Sequence, residues 1–221
     1  MTGYSRSQFG QAWADVDRNG CDTRNDILAR DLQNVTFKPG TRNCVVLTGD
    51  YVEPYTSRHV FFARSQNGPP AVEIDHVVAL GNARQTGAQQ MDPDTRLRYA
   101  NDPLVLLAVD GPANQQKGDG DAATWLPANK GFRCSYVARQ IAIKAKYHLW
   151  VTSPEREAMV RVLSRVPTSG CRTEPAATVE CAPDPIRTRL GPEPPLCRRL
   201  FRSPVSGRRH AQASKITGTV E

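Results

Sequence analysis

The sequence predicts an α+β fold, short antiparallel strands set among helices. Capped segments such as 23–33 and 132–149 carry apolar residues at helical spacing. Short alternating or continuous apolar runs, 71–75 and 104–109 among them, are bounded by Gly, Pro and Asp. No apolar run approaches the ~20 residues needed to span a bilayer, and 39% hydrophobic with 23% charged residues fits a globular chain.

Taken in order, Phe9, Ala12, Trp13 and Val16 recur at helical spacing behind Ser5 or Ser7, either of which can cap. Asn19-Gly20 then breaks that helix. A second short helix spans 23–33, capped by Asp22, with Ile27, Leu28 and Leu32 facing inward. Residues 45–48, the pair Gly49-Asp50 and the residues from Tyr51 onward read as strand, turn and strand. Residues 60–63 form another strand, and Gly68-Pro69-Pro70 a turn. Val72 and Ile74 alternate with Glu73, so 71–75 is a strand ending at Asp75-His76, followed by loop or helix over 77–90. Residues 104–109, between Asp102-Pro103 and Asp110-Gly111-Pro112, have the length and flanks of a buried strand. Residues 113–125 can open a helix. The segment 132–149 is helical, with Val137, Ile141 and Ala145 on one face. Ser153-Pro154-Glu155 starts a last helix to about Arg165 that buries Met159, Val160, Leu163 and Val166. Trp13, Trp125 and Trp150 are expected to anchor the core.

After Pro167 the composition changes: eight of the 17 prolines fall in 167–221, with scattered Arg and no periodicity, the signature of a disordered tail. The expected organisation is a folded domain over 1–166 and a tail over 167–221. Within the domain lie a helical and β subregion (1–68), a core (about 70–126) and C-terminal helices (132–166). The formal net charge of +7 points to a polyanionic partner, yet nine of the 29 Lys+Arg and five of the 22 Asp+Glu belong to the tail, leaving the domain mildly basic. Between Gly111 and His148, however, Lys117, Lys130, Arg133, Arg139, Lys144 and Lys146 meet only Asp119 and Asp121. That stretch is either a solvated face or a nucleic-acid contact surface.

The six cysteines contain no C-x-x-C pair, which argues against a structural zinc site. Their even number allows disulfides; Cys21 with Cys44 is the favoured pair, and buried free thiols are the alternative. Oxidised cysteines would place the chain outside the cytoplasm. The first twenty residues lack a basic region followed by an apolar stretch, which points to a cytoplasmic chain, or to an export signal trimmed or lying upstream. His59, His148 and His210 have no partner at metal-ligand spacing and are given no role.

Chemistry concentrates elsewhere. Asp75-His76 ends one strand, a buried strand follows, and Asn114-Gln115-Gln116-Lys117-Gly118 opens a helix. Two strands and a helix can gather a carboxylate, an imidazole and a carboxamide around one point. Phosphodiester hydrolysis needs a group that deprotonates water near neutral pH, which suits His. It also needs neutralisation of the phosphoryl oxygens, which suits a divalent metal on hard oxygen ligands. Asp75 and the Asn114 carbonyl oxygen are such ligands, and His76 leaves the strand on the other side from Asp75. Lys117, at i+3 from Asn114, is placed to hold a phosphate. Singly, each has a blander reading: a satisfied structural histidine, or an asparagine that caps a turn.

The blocks Glu73-Ile74-Asp75-His76-Val77-Val78-Ala79-Leu80, Asn101-Asp102-Pro103-Leu104, Leu106-Leu107-Ala108-Val109 and Asn114-Gln115-Gln116-Lys117-Gly118-Asp119 closely resemble the HNH endonuclease family. More narrowly, they resemble actinobacterial HNH proteins related to the C-terminal domain of GmrSD-type restriction enzymes. The resemblance extends upstream through Gly3-Tyr4-Ser5-Arg6, Asn19-Gly20-Cys21-Asp22-Thr23-Arg24 and Asp31-Leu32. Downstream it includes Asp121-Ala122-Ala123-Thr124-Trp125-Leu126-Pro127 and Lys146-Tyr147, covering about residues 3–166 and not the tail. It implies a ββα-metal core and metal-dependent hydrolysis of DNA with Mg²⁺, or alternatively Mn²⁺. In that scheme His76 is general base, Asp75 and Asn114 hold the metal, and the cut leaves 5′-phosphate ends. The implied partner is DNA, held by its backbone with weak sequence preference; Lys117, Arg133, Arg139 and Lys144 are the candidate contacts. No membrane partner is implied, and the oligomeric state is open.

Two positions depart from the family. Val105 stands where the middle Asn of the H-N-H triplet is expected, a residue that holds the catalytic ring through backbone hydrogen bonds. Asn101 and Asp102 are the nearest substitutes. Val166 stands where the family often has a cysteine, so Cys134 pairs with Cys171 or stays free. Family members are often exported. The alternatives to an active endonuclease are a nucleic-acid-binding relative silenced by Val105, and a secreted interaction protein in which Asp75 and Asn114 merely cap turns.

Overall fold

The computed structural model describes residues 3–64 and 71–165. The expected turn at 68–70, Val166, His210 and the expected tail lie outside the described residues. Ser5 opens the chain with a capping box to Gln8, but only a single 3-10 turn forms, Arg6–Phe9. The helix expected to run on to Val16 does not. Gly10 leaves the turn at φ 74° and Trp13 takes φ 58°. The Asp15 carboxylate then accepts the Asn19 and Gly20 backbone N–H groups. Local turn chemistry outcompetes a four-residue apolar pattern here, and Val16 is left exposed.

The first full helix, α1 (Thr23–Asp31), starts as expected on Asp22, which accepts from the Asn25 N–H at 2.8 Å. It buries Ile27 and Leu28. Three antiparallel strands follow in the order β1 (Gln33–Phe37), β2 (Val46–Val52), β3 (His59–Ala63). The polar β1 carried no alternating signal. The expected turn at Gly49-Asp50 is instead the middle of one continuous β2. A Cβ at Gly49 would stand 3.0 Å from Leu32 Cβ and 3.2 Å from the Gln33 carbonyl oxygen, so this glycine serves close packing rather than a reversal.

A second, two-stranded antiparallel sheet joins β4 (Val72–His76) to β5 (Leu106–Asp110), with Glu73 opposite Val109, Asp75 opposite Leu107 and His76 opposite Leu106. Between them come α2 (Leu80–Gln85) and α3 (Pro93–Ala100). Helix α3 was legible in Asp92-Pro93, a cap followed by proline in the first turn, and Asp92 accepts from the Thr95 N–H at 2.9 Å. Helix α4 (Gly111–Lys117) leaves β5 at once, capped by Asp110.

Strand alternation sends Val72, Ile74, Leu106 and Ala108 into one apolar cluster with Ile27 and Leu28 of α1. Val77, Val105, Leu107 and Val109 enter the other, with Ala113 of α4. The last two helices, α5 (Arg133–Lys146) and α6 (Ser153–Leu163), pack on that second cluster. Their inward faces differ from the apolar stripes. Helix α5 buries Tyr136, Val137, Gln140, Ile143 and Lys144 while Ile141 is exposed, and α6 buries Glu155, Ala158 and Met159 while Val160 is exposed. A buried ion pair, Lys144 Nζ to Glu155 Oε1 at 2.7 Å, fixes both rotations. Trp125 packs on Tyr55 and Tyr136, whereas Trp150 is exposed rather than a core anchor.

Candidate active site

Helix α4 lies against β4 so that its i, i+3 face meets alternate strand residues. Glu73 accepts from Asn114 Nδ2 at 2.8 Å and from Gln115 Nε2 at 3.0 Å. Two residues on, Asp75 Oδ1 accepts from Lys117 Nζ at 2.8 Å, and the same ammonium donates to the His76 carbonyl at 3.0 Å. The Tyr55 hydroxyl donates to Asp75 Oδ2 at 2.5 Å. The loop presenting Tyr55 is set by the fully buried Glu53, whose carboxylate accepts from the Tyr55 and Thr56 N–H groups. Burial, reinforced by the Asp75 carboxylate, pushes the Tyr55 phenol well above its ordinary pKa, so it remains a donor. The Lys117 and Asp75 side chains are 0% and 5% exposed.

His76 leaves the strand on the opposite side from Asp75. Its Nε2 lies 2.9 Å from the Ala100 carbonyl at the end of α3, one of the orphan acceptors that every helix leaves in its last turn. A carbonyl only accepts, so Nε2 carries the proton and Nδ1 keeps its lone pair. Nδ1 has no hydrogen-bond partner among the described residues. Trp13 stacks on the ring at 6.3 Å, 23° from parallel. Burial is the main cause that lowers the His76 pKa to about 4. The Ala100 hydrogen bond and Asp75 oppose the shift, and Arg6 and Lys117 add to it. At neutral pH the ring is therefore an uncharged base held at one nitrogen and open at the other.

Residues 22–162 match the family of GmrSD restriction endonucleases, C-terminal domain. This chain belongs to that family. A relative in Arthroderma benhamiae (strain ATCC MYA-4681 / CBS 112371), described as an uncharacterized secreted protein, is 35% identical over 164 residues, 73% of this chain and 75% of its own. No solved structure matches the chain.

In this GmrSD C-terminal domain the expected middle Asn is replaced in a way the sequence did not disclose. The Val105 side chain is fully buried in the apolar cluster, and its carbonyl accepts from the Val77 N–H at 2.8 Å, tying the chain just after His76 to β5. Neither nearby polar residue substitutes. Asn101 Nδ2 donates to the Leu97 carbonyl, and Asp102 accepts from Lys146 and Tyr147. The Ala100 carbonyl and Trp13 hold the ring instead.

The four expected phosphate contacts are placed unequally. Lys117 is enclosed with Asp75, and Lys144 with Glu155. Arg139 donates to the carbonyls of Pro103, Leu104 and Leu106, bracing the start of β5. Arg133 is half-buried, with Nε on the Pro127 carbonyl. Charge on a helix does not reveal whether it points outward, and here two cations satisfy buried carboxylates and a third satisfies buried backbone. Cys21 and Cys44 form the favoured disulfide. Cys134 is disulfide-bonded, and Cys171 lies outside the described residues.

Of the expected metal ligands, Asp75 is already engaged as folded. Both Asp75 oxygens are occupied by donors, the Asn114 amide faces Glu73, and among the described residues no three His, Cys, Asp or Glu side chains are gathered to hold a metal. With Lys117 supplying the positive charge at Asp75, that carboxylate as folded does not fit a divalent cation. Tyr55, Trp13, Glu73 and the Ala100 carbonyl were missed by sequence reasoning. Only Glu73 gave a signal, standing two residues before Asp75 on the same strand face.

Proposed function

We propose that this domain is an HNH-type endonuclease that hydrolyses DNA phosphodiester bonds with His76 as general base, on a ββα-metal-like frame of β4, β5 and α4. The observation that carries the reading is the His76 ring, fixed through Nε2 on Ala100 with Nδ1 open. Membership of a restriction-endonuclease domain family supports a nucleic-acid substrate. Water gives its proton to Nδ1 and the hydroxide attacks phosphorus. The bond to the 3′-oxygen breaks, leaving a 5′-phosphate and a 3′-hydroxyl that takes its proton from solvent. Orientation at Nε2 supplies the base in its working tautomer. No step is assigned to Mg²⁺ or Mn²⁺, since both Asp75 oxygens are engaged by Tyr55 and Lys117. The Cys21–Cys44 disulfide and the secreted relative favour an oxidising compartment.

The test is nicking of supercoiled plasmid by the purified chain and by His76→Ala, in EDTA and with added Mg²⁺ or Mn²⁺. Nicking that His76→Ala abolishes is the expected result. Cleavage retained by His76→Ala would remove the base, and no nicking under any condition would remove the endonuclease reading.

A further inference from the structure

Three arginines surround the N-terminal turn, and two are used internally. Arg84 Nε donates to Gln8 Oε1 at 2.7 Å, and Arg96 Nε donates to the Gln8 carbonyl at 2.7 Å. These bonds pin the Arg6–Phe9 turn to α2 and α3. Arg6, exposed on the same turn, has no hydrogen bond or carboxylate partner among the described residues. Its guanidinium carbon sits 5.7 Å from the Trp13 ring centroid, and Trp13 in turn stacks on His76 at 6.3 Å. The two steps keep the guanidinium within 12 Å of the imidazole. Asp75 and Lys117 are paired with each other beside His76, whereas Arg6 has no such carboxylate partner among the described residues.

We propose that Arg6 binds a backbone phosphate of the nucleic acid flanking the one attacked at His76, with Trp13 as the platform that holds the guanidinium in place. The inference rests on the endonuclease reading for its choice of polyanion. A DNA strand presents a phosphate about every 3.4 Å of helix axis, so neighbouring phosphates fall within the span from His76 to Arg6. An arginine stacked on an indole loses little freedom on binding and keeps its fork of donors free for phosphate oxygens. Such a contact strengthens binding to every sequence alike.

The test measures binding of a fluorescein-labelled 20-base-pair duplex by anisotropy across a salt series in EDTA, with the duplex recovered intact, for wild type, Arg6→Gln and Arg6→Lys. Arg6→Gln is expected to weaken binding roughly tenfold at low salt and to reduce the slope of log affinity against log salt by about one. Its thermal midpoint should match the wild type. Arg6→Lys should restore the slope. An unchanged slope in Arg6→Gln would overturn the proposal, as would an Arg6→Lys loss equal to that of Arg6→Gln, which marks a packing role. Failure of the wild type to bind the duplex at low salt would overturn it together with the DNA reading. Arg6-dependent binding without plasmid nicking would uphold it and overturn only the endonuclease.

Discussion

Replacing Lys117 by methionine keeps most of the side-chain volume and removes the ammonium that lies 2.8 Å from Asp75 Oδ1. Both side chains are almost wholly shielded from water, so the carboxylate left behind is a buried charge with only the Tyr55 hydroxyl on its other oxygen. Breaking a buried pair from one side costs about 3–5 kcal/mol. In a domain of this size each kcal/mol moves the midpoint by roughly 2–4 °C, so Lys117→Met should melt some 6–20 °C below the wild type. Thermal unfolding followed by circular dichroism in EDTA reads this directly. Asp75→Asn combined with Lys117→Met removes both charges and should recover much of the loss. A single-variant cost below about 1 kcal/mol would refute the claim that this pair is a structural unit.

The same variant separates a resident ammonium from a metal. Lys117→Met frees Asp75 Oδ1, so Mg²⁺ or Mn²⁺ should raise the midpoint of the variant and leave the wild type unmoved. Metal stabilisation of the wild type that vanishes in Asp75→Asn would show the opposite, that a divalent ion displaces the ammonium in the working protein.

Much of the frame was legible, because alternation and flanking turn residues are local signals. The strand ending at Asp75-His76, the buried strand before Asp110-Gly111-Pro112 and the helix opened by Asp22 all stand where the pattern placed them. Membership of the family was legible from long blocks of sequence. The partners of the site residues were not. Tyr55 reaches Asp75 across 20 residues and Ala100 reaches His76 across 24, and no short spacing encodes either. Lys117 and Lys144 show why charge misleads: each is read as a surface cation from sequence, and each is drawn inward by a carboxylate whose position depends on the finished fold. Ile141 and Val160 are the counterpart, apolar residues turned outward on the two helices that the Lys144–Glu155 pair joins.

Because the folded His76 pKa lies at about 4, below the unfolded value of about 6.5, the unfolded chain alone takes up the proton between those values. Stability should be flat above pH 6.5 and fall by roughly 3 kcal/mol toward pH 4 from this residue, and denaturant melts of wild type against His76→Gln isolate it. The same shift places the acid limb of cleavage near pH 4; a limb near 6.5 would mean the ring is solvated in the working enzyme. Replacing Cys21 and Cys44 together by alanine opens a loop of sequence separation 23 and should cost about 3 kcal/mol in denaturant melts; no loss would mean the bridge adds nothing to the fold. The Val105→Asn exchange tests how the His76 ring is oriented. If a missing amide limited His76, restoring asparagine would raise cleavage. The Val105 side chain is fully enclosed by apolar neighbours, however, and its backbone already ties Val77. The new amide would be buried without a ready partner, at about 1–3 kcal/mol, while His76 stays on Ala100. The expected outcome is therefore a lower melting midpoint with no gain in nicking. A variant that cuts faster than wild type would mean that the Ala100 carbonyl does not suffice to orient the base.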